Sequence, residues 1–260
     1  MKNLMKTGLV MLIIAIVLIA ISTVVMRAHA ASEVVTENRE INDKIVVIVM
    51  NGSVDLNLKQ ASNAKLQLRG SANNLSHVIT RLEGNTLYVD TRGFIISVNQ
   101  PLVAEVSLPN LEKLQIQGSG DAIVKGFKGK RLDAQLRGSG DLQFEGDYQQ
   151  LVATISGSGD AQLSSEHGDY IEVNLSGSGD VNLKGQANLL NAKTNGSGDF
   201  NATALKANQA TLNARGSGDL KAFVVNDIQL RLGGSGDAII SGNPVKRSIE
   251  QVGSGRVRWQ

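Results

Sequence analysis

The chain has 260 residues, of which 28 are Gly, 3 are Pro and none is Cys, with aromatics at 3% and apolar residues at 42%. Without cysteine there are no disulfides, thiolate metal sites, thiol nucleophiles or lipid-modified N-terminal cysteine. The formal charge of +2 is carried by the first thirty residues, which hold Lys2, Lys6 and Arg27 and no acid. Residues 31–260 carry 23 Lys and Arg against 24 Asp and Glu, a formal charge of −1. A domain this close to neutrality exerts no bulk pull on nucleic acid, which argues against a nucleic-acid partner.

In chain order the first element is an export leader over residues 1–30. Lys2 and Lys6 precede an unbroken apolar run from Gly8 to Met26, followed by Ala28-His29-Ala30 and then Ala31. Small residues around Ala30 and Ala31 predict signal cleavage between them. The alternative is a retained anchor helix, because the run is nearly long enough to span a bilayer. Uncleaved, the leader would be the protein's membrane attachment. Either reading exports the rest of the chain.

Residues 31–117 form the less regular part of a continuous domain spanning 41–260. Candidate strands lie at Ile45–Val49, Val54–Leu58, Leu66–Leu68, Leu87–Val89 and Val103–Val106, with a turn signal at Gly84-Asn85. Three or four irregular coils and a cap would account for this stretch.

From residue 118 to 260 the chain repeats. Gly-Ser-Gly-Asp begins at Gly118, Gly138, Gly157, Gly177, Gly196, Gly216 and Gly234, and an eighth copy at Gly253 ends in Arg256. Successive copies are 20, 19, 20, 19, 20, 18 and 19 residues apart, too short a period for helical-hairpin repeats. The flanks alternate with period two, as in Leu132, Ala134, Leu136 before one corner and Leu142, Phe144 after it. Such alternation marks strands with one buried and one wet face. A second, looser corner carries Gly126, Gly146, Gly185 or Gly242. No single unit can bury its apolar face alone, but parallel stacking of 19–20-residue coils buries it and pairs the backbone. The fold class is therefore all-β, a β-solenoid. Hairpin barrels and sandwiches do not require identical corners at fixed period.

The repeat creates rows of identical residues. Asp121, Asp141, Asp160, Asp180, Asp199, Asp219 and Asp237 would stack about 4.8 Å apart, where each neighbouring pair repels by about 0.9 kcal/mol in water. Turn chemistry answers this if each Asp accepts backbone N–H groups at its own corner and faces solvent. The sharper reading is a calcium row, since Ca²⁺ takes carboxylate and carbonyl oxygens. One motif per coil leaves such sites short of ligands, so no metal or other cofactor is expected. Ser119, Ser139, Ser158, Ser178, Ser197, Ser217 and Ser235 lack the adjacent base a nucleophile needs, and read as turn hydroxyls bonded to backbone. With His77 and His167 alone after the leader, a His-based zinc site is not expected. The glycine turns match neither a dinucleotide fingerprint nor a P-loop.

At the C-terminal end Arg256 takes the Asp position, which places Val257 and Trp259 inward. Trp259 would then lie across the end of the apolar column as a structural cap, with Arg256 closing the aspartate row and Arg258 charging the edge strand.

Gly84-Asn85-Thr86-Leu87-Tyr88-Val89, then residues 102–114 (Leu-Val-Ala-Glu-Val-Ser-Leu-Pro-Asn-Leu-Glu-Lys-Leu), lead into the first Gly-Ser-Gly-Asp. This order resembles the bacterial family of auto-transporter adhesin head GIN domains, over roughly residues 41–245. The resemblance implies a right-handed parallel β-helix exported to the cell envelope, periplasm or exterior. It supplies no catalytic residues.

The expected function is a non-catalytic, adhesin-like scaffold presenting polar stripes to a surface, a glycan or an envelope protein. Repeated weak contacts along such stripes suit avidity. The alternative is a polysaccharide-active or Ca²⁺-dependent glycan-binding β-helix. An enzyme of that kind needs long loops to wall a cleft, which this regular chain lacks. Solenoid ends favour end-to-end contacts, so an oligomer is compatible with the sequence.

Overall fold

The computed structural model describes residues 33–93 and 102–260. The leader, with its expected cleavage between Ala30 and Ala31, lies outside the described residues. Among the described residues no helix is long and apolar enough to cross a membrane.

The repeat region builds the core by parallel stacking. Strand β8 (Lys113–Gly118) and the long winding strands β9 (Ala122–Gly138), β10 (Leu142–Gly157), β11 (Ala161–Gly177), β12 (Val181–Gly196), β13 (Phe200–Gly216) and β14 (Leu220–Gly234) each pair in parallel with the next. The stack ends on β15 (Ala238–Ser241), β16 (Lys246–Gly253) and β17 (Val257–Trp259). Register is uniform on both sides of the tight corner, with Gly138 over Gly118 and Gly157 over Gly138. The result is a β-solenoid of about seven turns.

Alternation in sequence becomes columns in space. Ala122, Leu142, Ala161, Val181, Phe200 and Leu220 stack as one column, and Leu136, Ile155 and Leu175 belong to another. Their side chains are buried within one continuous apolar cluster. Complete removal of a Leu- or Phe-sized side chain from water contributes roughly 1.5–3 kcal/mol, so the columns hold the stack together.

The tight corner needs glycine twice, for different reasons. The first glycine, as at Gly138, sits at φ +130°, where a side chain is strained. The third, as at Gly140, has ordinary φ, but a Cβ there would lie 2.1 Å from the carbonyl oxygen of Gly120 in the coil below. That carbonyl belongs to rigid backbone and cannot yield.

The N-terminal stretch is not stacked in chain order. Strands β2 (Val47–Gly52) and β3 (Asp55–Gln60) lie directly against the first repeat coil, with Gly52 beside Gly118 and Leu56 beside Ala122. On the far side of them lie β6 (Thr86–Thr91) and β7 (Val103–Leu108), also parallel. The end is closed by antiparallel strands. β4 (Lys65–Ser71) pairs with β7, and β5 (Val78–Glu83) forms a hairpin with β6 across Gly84-Asn85. Strand β1 (Val34–Arg39) adds to β4, and a short helix α1 (Ala72–Leu75) is N-capped by the Ser71 hydroxyl. The stretch thus supplies two parallel layers and an antiparallel cap, in place of the expected three or four coils. Antiparallel pairing ends a parallel stack because it turns the chain back rather than onward to another coil.

Residues 52–55 are a degenerate corner, Gly-Ser-Val-Asp. Valine is tolerated at the third position because among the described residues no glycine corner stacks outside it. The Asp55 amide there bonds instead to the Leu102 carbonyl.

Candidate functional site

The aspartate row is bonded between coils. Each Oδ1 accepts the backbone N–H of the aspartate one coil on, from Asp55 to Asp121 at 3.0 Å and from Asp121 to Asp141 at 2.9 Å. The chain continues through Asp160, Asp180, Asp199, Asp219 and Asp237 at 2.8–2.9 Å. The acceptor role expected at each Asp is therefore played toward the neighbouring corner, because stacked corners aim the next amide at the carboxylate. The row also has one more member than the repeat suggests, Asp55. At its end the N–H of Arg256 bonds to Asp237 Oδ1 at 2.9 Å, and the guanidinium of Arg258 lies 3.1 Å from Oδ2.

The ends of the row differ electrostatically. Burial raises the Asp55 carboxyl above its ordinary range, only partly countered by the Asp121 N–H. The Arg256 N–H lowers Asp237, and both arginines add to the effect.

The serine hydroxyls at these corners face solvent rather than bonding to backbone. Among the described residues the one hydroxyl link in the row joins Ser254 to Ser235 at 3.3 Å. The backbone N–H of each corner serine does the bonding, as from Ser139 to the Gly118 carbonyl at 2.9 Å.

At the C-terminal end Val257 packs against the apolar cluster. Trp259 pairs with Ile240 but stays 38% exposed, with the Arg247 guanidinium 4.0 Å from its ring centroid. Its outer face is covered by a cation, not by apolar side chains.

Tight corners being filled by backbone, the space for ligand chemistry lies elsewhere. The strands preceding each corner form a continuous sheet whose outward residues also align in register. One row runs Arg131, Gln150, Tyr170 and the next Asp133, Val152, Glu172, Asn191, Thr211. A polar network spans them. The Tyr170 hydroxyl donates to Glu172 Oε2 at 2.7 Å, and Asn174 Nδ2 donates to Oε1 at 3.0 Å. Asn191 Nδ2 donates to the Tyr170 oxygen at 3.4 Å. These bonds hold Glu172 below the ordinary carboxylate range, first through Tyr170, and the same bond raises the Tyr170 phenol. Glu172 is thus fixed as an ionised acceptor, a poor proton donor for general acid chemistry.

The second corner varies from coil to coil. Register shifts occur there between Gly146 and Gln150, Ser165 and Gly168, and Ala202 and Lys206. Gly126, Gly185 and Gly242 take positive φ as glycine corners do, whereas Gly146 does not. A cleft of about 420 Å³ opens beside His167, Asp169, Asn188 and Lys206. Its edge carries an amide ladder, Asn208 Nδ2 to Asn188 Oδ1 at 3.0 Å, continued from Asn226 to Asn208.

Asp147, Glu166 and His167 bring their ligand atoms within 4.8 Å of one another, the one such group among the described residues able to hold a metal. His167 donates its backbone N–H to Asp147 Oδ1 at 3.1 Å, and its Nδ1 lies 3.5 Å from Oδ2. Sequence reasoning passed over this group because its members come from adjacent coils. Two of them are exposed, as in an ordinary solvated cluster.

A larger cleft, about 590 Å³, lies where the chain enters β8, beside Lys113, Lys128, Lys130 and Arg131. Its floor is Tyr148, a buried ring whose hydroxyl donates to the Leu111 carbonyl at 2.7 Å.

Several solved structures share this fold. An adhesin described as putative from Parabacteroides distasonis is 18% identical, with a TM-score of 0.80 over 88% of this chain and 98% of its own. A protein from the same species, described as a putative lipid binding protein, is 22% identical with a TM-score of 0.77 over the same shares. A putative adhesin from Bacteroides fragilis is 21% identical, with a TM-score of 0.64 and again 88% and 98% coverage. Among curated proteins none matches this chain. Residues 46–244 match the family described as putative auto-transporter adhesin, head GIN domain, and the chain belongs to that family.

Proposed function

We propose that this is a non-catalytic, exported cell-envelope protein that binds glycan through the flat polar sheet preceding its tight corners. The observation that carries the reading is the in-register rows of outward amide, hydroxyl and carboxylate groups around Tyr170. Sugars offer hydroxyls to such acceptors and donors, and an aromatic ring offers them a surface to lie on. Tyr170 is the one aromatic residue on the outward face of this sheet from β8 to β16. Stacked copies of similar chemistry about 4.8 Å apart favour a polymer over a single sugar.

The non-catalytic part of the reading is supported by the family, which is described as an adhesin head domain. Family membership and the leader support export. The aspartate row serves turn chemistry in this reading, since each Oδ1 already holds an N–H.

The test is a glycan array probed with the protein purified from expressing cells, beside Tyr170→Ala and Asn191→Ala. Binding to one or more polysaccharides, lowered at least about tenfold in either variant, is expected; a blank array would overturn the reading. Thermal unfolding in EDTA and in millimolar calcium should give the same midpoint. A rise with calcium, lost in Asp160→Asn, would favour the calcium-dependent alternative. Cell fractionation with N-terminal sequencing checks export and cleavage after Ala30.

A further inference from the structure

We infer that the cleft at the entry to β8 recognises the acidic groups of a saccharide, so that the bound glycan is an anionic polysaccharide. This inference rests on the glycan-binding reading above and names the class of glycan.

The sequence Lys128-Gly129-Lys130-Arg131 forms the second corner of the first repeat coil. The matching corner one coil on reads Asp147-Tyr148-Gln149-Gln150, so the cations belong to this place and not to the repeat. They are held on a rigid floor. Tyr148 is anchored by its bond to the Leu111 carbonyl, and Gly129 lies so close that a Cβ there would be 2.8 Å from the ring. Lys128 and Lys130 leave the chain on either side of that contact, and Lys113 comes from β8. Among the described residues no ion pair engages Lys113, Lys128, Lys130 or Arg131. Four cations share one cleft of about 590 Å³ with two carboxylates, a cationic excess with none of the four in a direct ion pair.

Glu112 and Asp133 line the same cleft, and they decide between anions. Carboxylates beside the cations repel any polyanion, and sugar hydroxyls offset this by donating hydrogen bonds to them, which the phosphate backbone of a duplex, with no free hydroxyl along it, cannot do. A saccharide carrying both acidic groups and hydroxyls satisfies both kinds of lining. Arg131 also stands in register with Gln150 and Tyr170, so the cleft opens onto the polar sheet and one polymer can engage both.

The experiment titrates the purified full chain with polygalacturonate, with the same polymer after carboxyl reduction, with dextran sulfate and with duplex DNA, compared at one low salt concentration and then repeated at higher salt. The expected result is polygalacturonate binding at least about tenfold tighter than the reduced polymer, and lost on raising salt. Lys128→Ala/Lys130→Ala and Lys113→Ala should each remove most of that preference with an unchanged melting temperature. Lys128→Glu/Lys130→Glu should abolish it. Tyr170→Ala should weaken acidic and neutral polymers alike. Dextran sulfate binding with the same lysine dependence supports the site with sulfate as its anion. Equal affinity for the reduced polymer, tighter binding of DNA, or lysine variants that bind as wild type would each overturn the inference. If neutral glycans bind through Tyr170 without any acidic preference, the inference falls and the glycan-binding function stands. If no saccharide binds, both fall.

Discussion

The two corners of each coil solve opposite problems. The tight corner keeps both its glycines in every copy of the repeat from Gly118 on because stacked backbone leaves no room for variation, with a Cβ at Gly159 falling 1.9 Å from the Gly140 oxygen. The second corner takes an inserted residue here and a register shift there, and it holds the clefts at His167 and at Lys128. Uniformity therefore marks where the fold is held, and departure from the repeat marks where chemistry can be placed.

The largest test of that contrast is Gly159→Ala against Gly126→Ala. The first forces a methyl into unyielding backbone and should cost about 3 kcal/mol or more, measured by denaturant unfolding. The second keeps only the positive-φ penalty of about 1–2 kcal/mol, because nothing lies within 4 Å of its Cβ. Equal costs would break the distinction between corners.

Tyr148→Phe should destabilise by about 1–3 kcal/mol, since it strands the buried Leu111 carbonyl, and should loosen the lysines above it. Hydrogen exchange at residues 128–131 would report this. Trp259→Ala should cost about 1–2 kcal/mol and fray β17 first, as the ring is partly exposed and its cation contact with Arg247 is lost. Asp160→Ala removes one interstrand acceptor from a solvated corner, for about 0.5–1.5 kcal/mol, and Asp160→Asn should cost less because the amide oxygen still accepts.

The smallest effect is the response to acid. Asp237 is lowered from its ordinary value of 3.8, so its contribution is present above that pH and is lost as pH falls through the lowered value. Asp55 is raised, so its folded state favours the proton, and its contribution grows as pH falls through the raised value toward 3.8. Hydrogen exchange between pH 5 and 2.5 should therefore show β17 loosening at the acid end while β3 does not follow Asp55's protonation.

Much of the fold was legible because its causes are local. The Gly-Ser-Gly-Asp spacing shows where coils turn, and period-two alternation selects the inward side chains, as in Leu132, Ala134 and Leu136. The candidate strands from Ile45 to Val106 fall on β2, β3, β4, β6 and β7, whereas β1, β5 and α1 carry no comparable alternation and escaped notice. Gly52-Ser53-Val54-Asp55 could have been found as a degenerate corner had the third glycine not been required. For the candidate site, Tyr170, Glu172 and Asn191 look like ordinary outward residues in sequence.

Sequence by itself determined the coil length, the corners and the side chains of the core, because steric limits on glycine and strand alternation act within a few residues. Only the tertiary structure decided that β2 and β3 lie between β6, β7 and the first repeat coil, and that each aspartate serves the next corner. It also decided that Lys113 from β8 meets Lys128 and Lys130 over Tyr148. Those outcomes depend on which coil lies against which, and that register is set by the packing of columns across residues far apart in the chain.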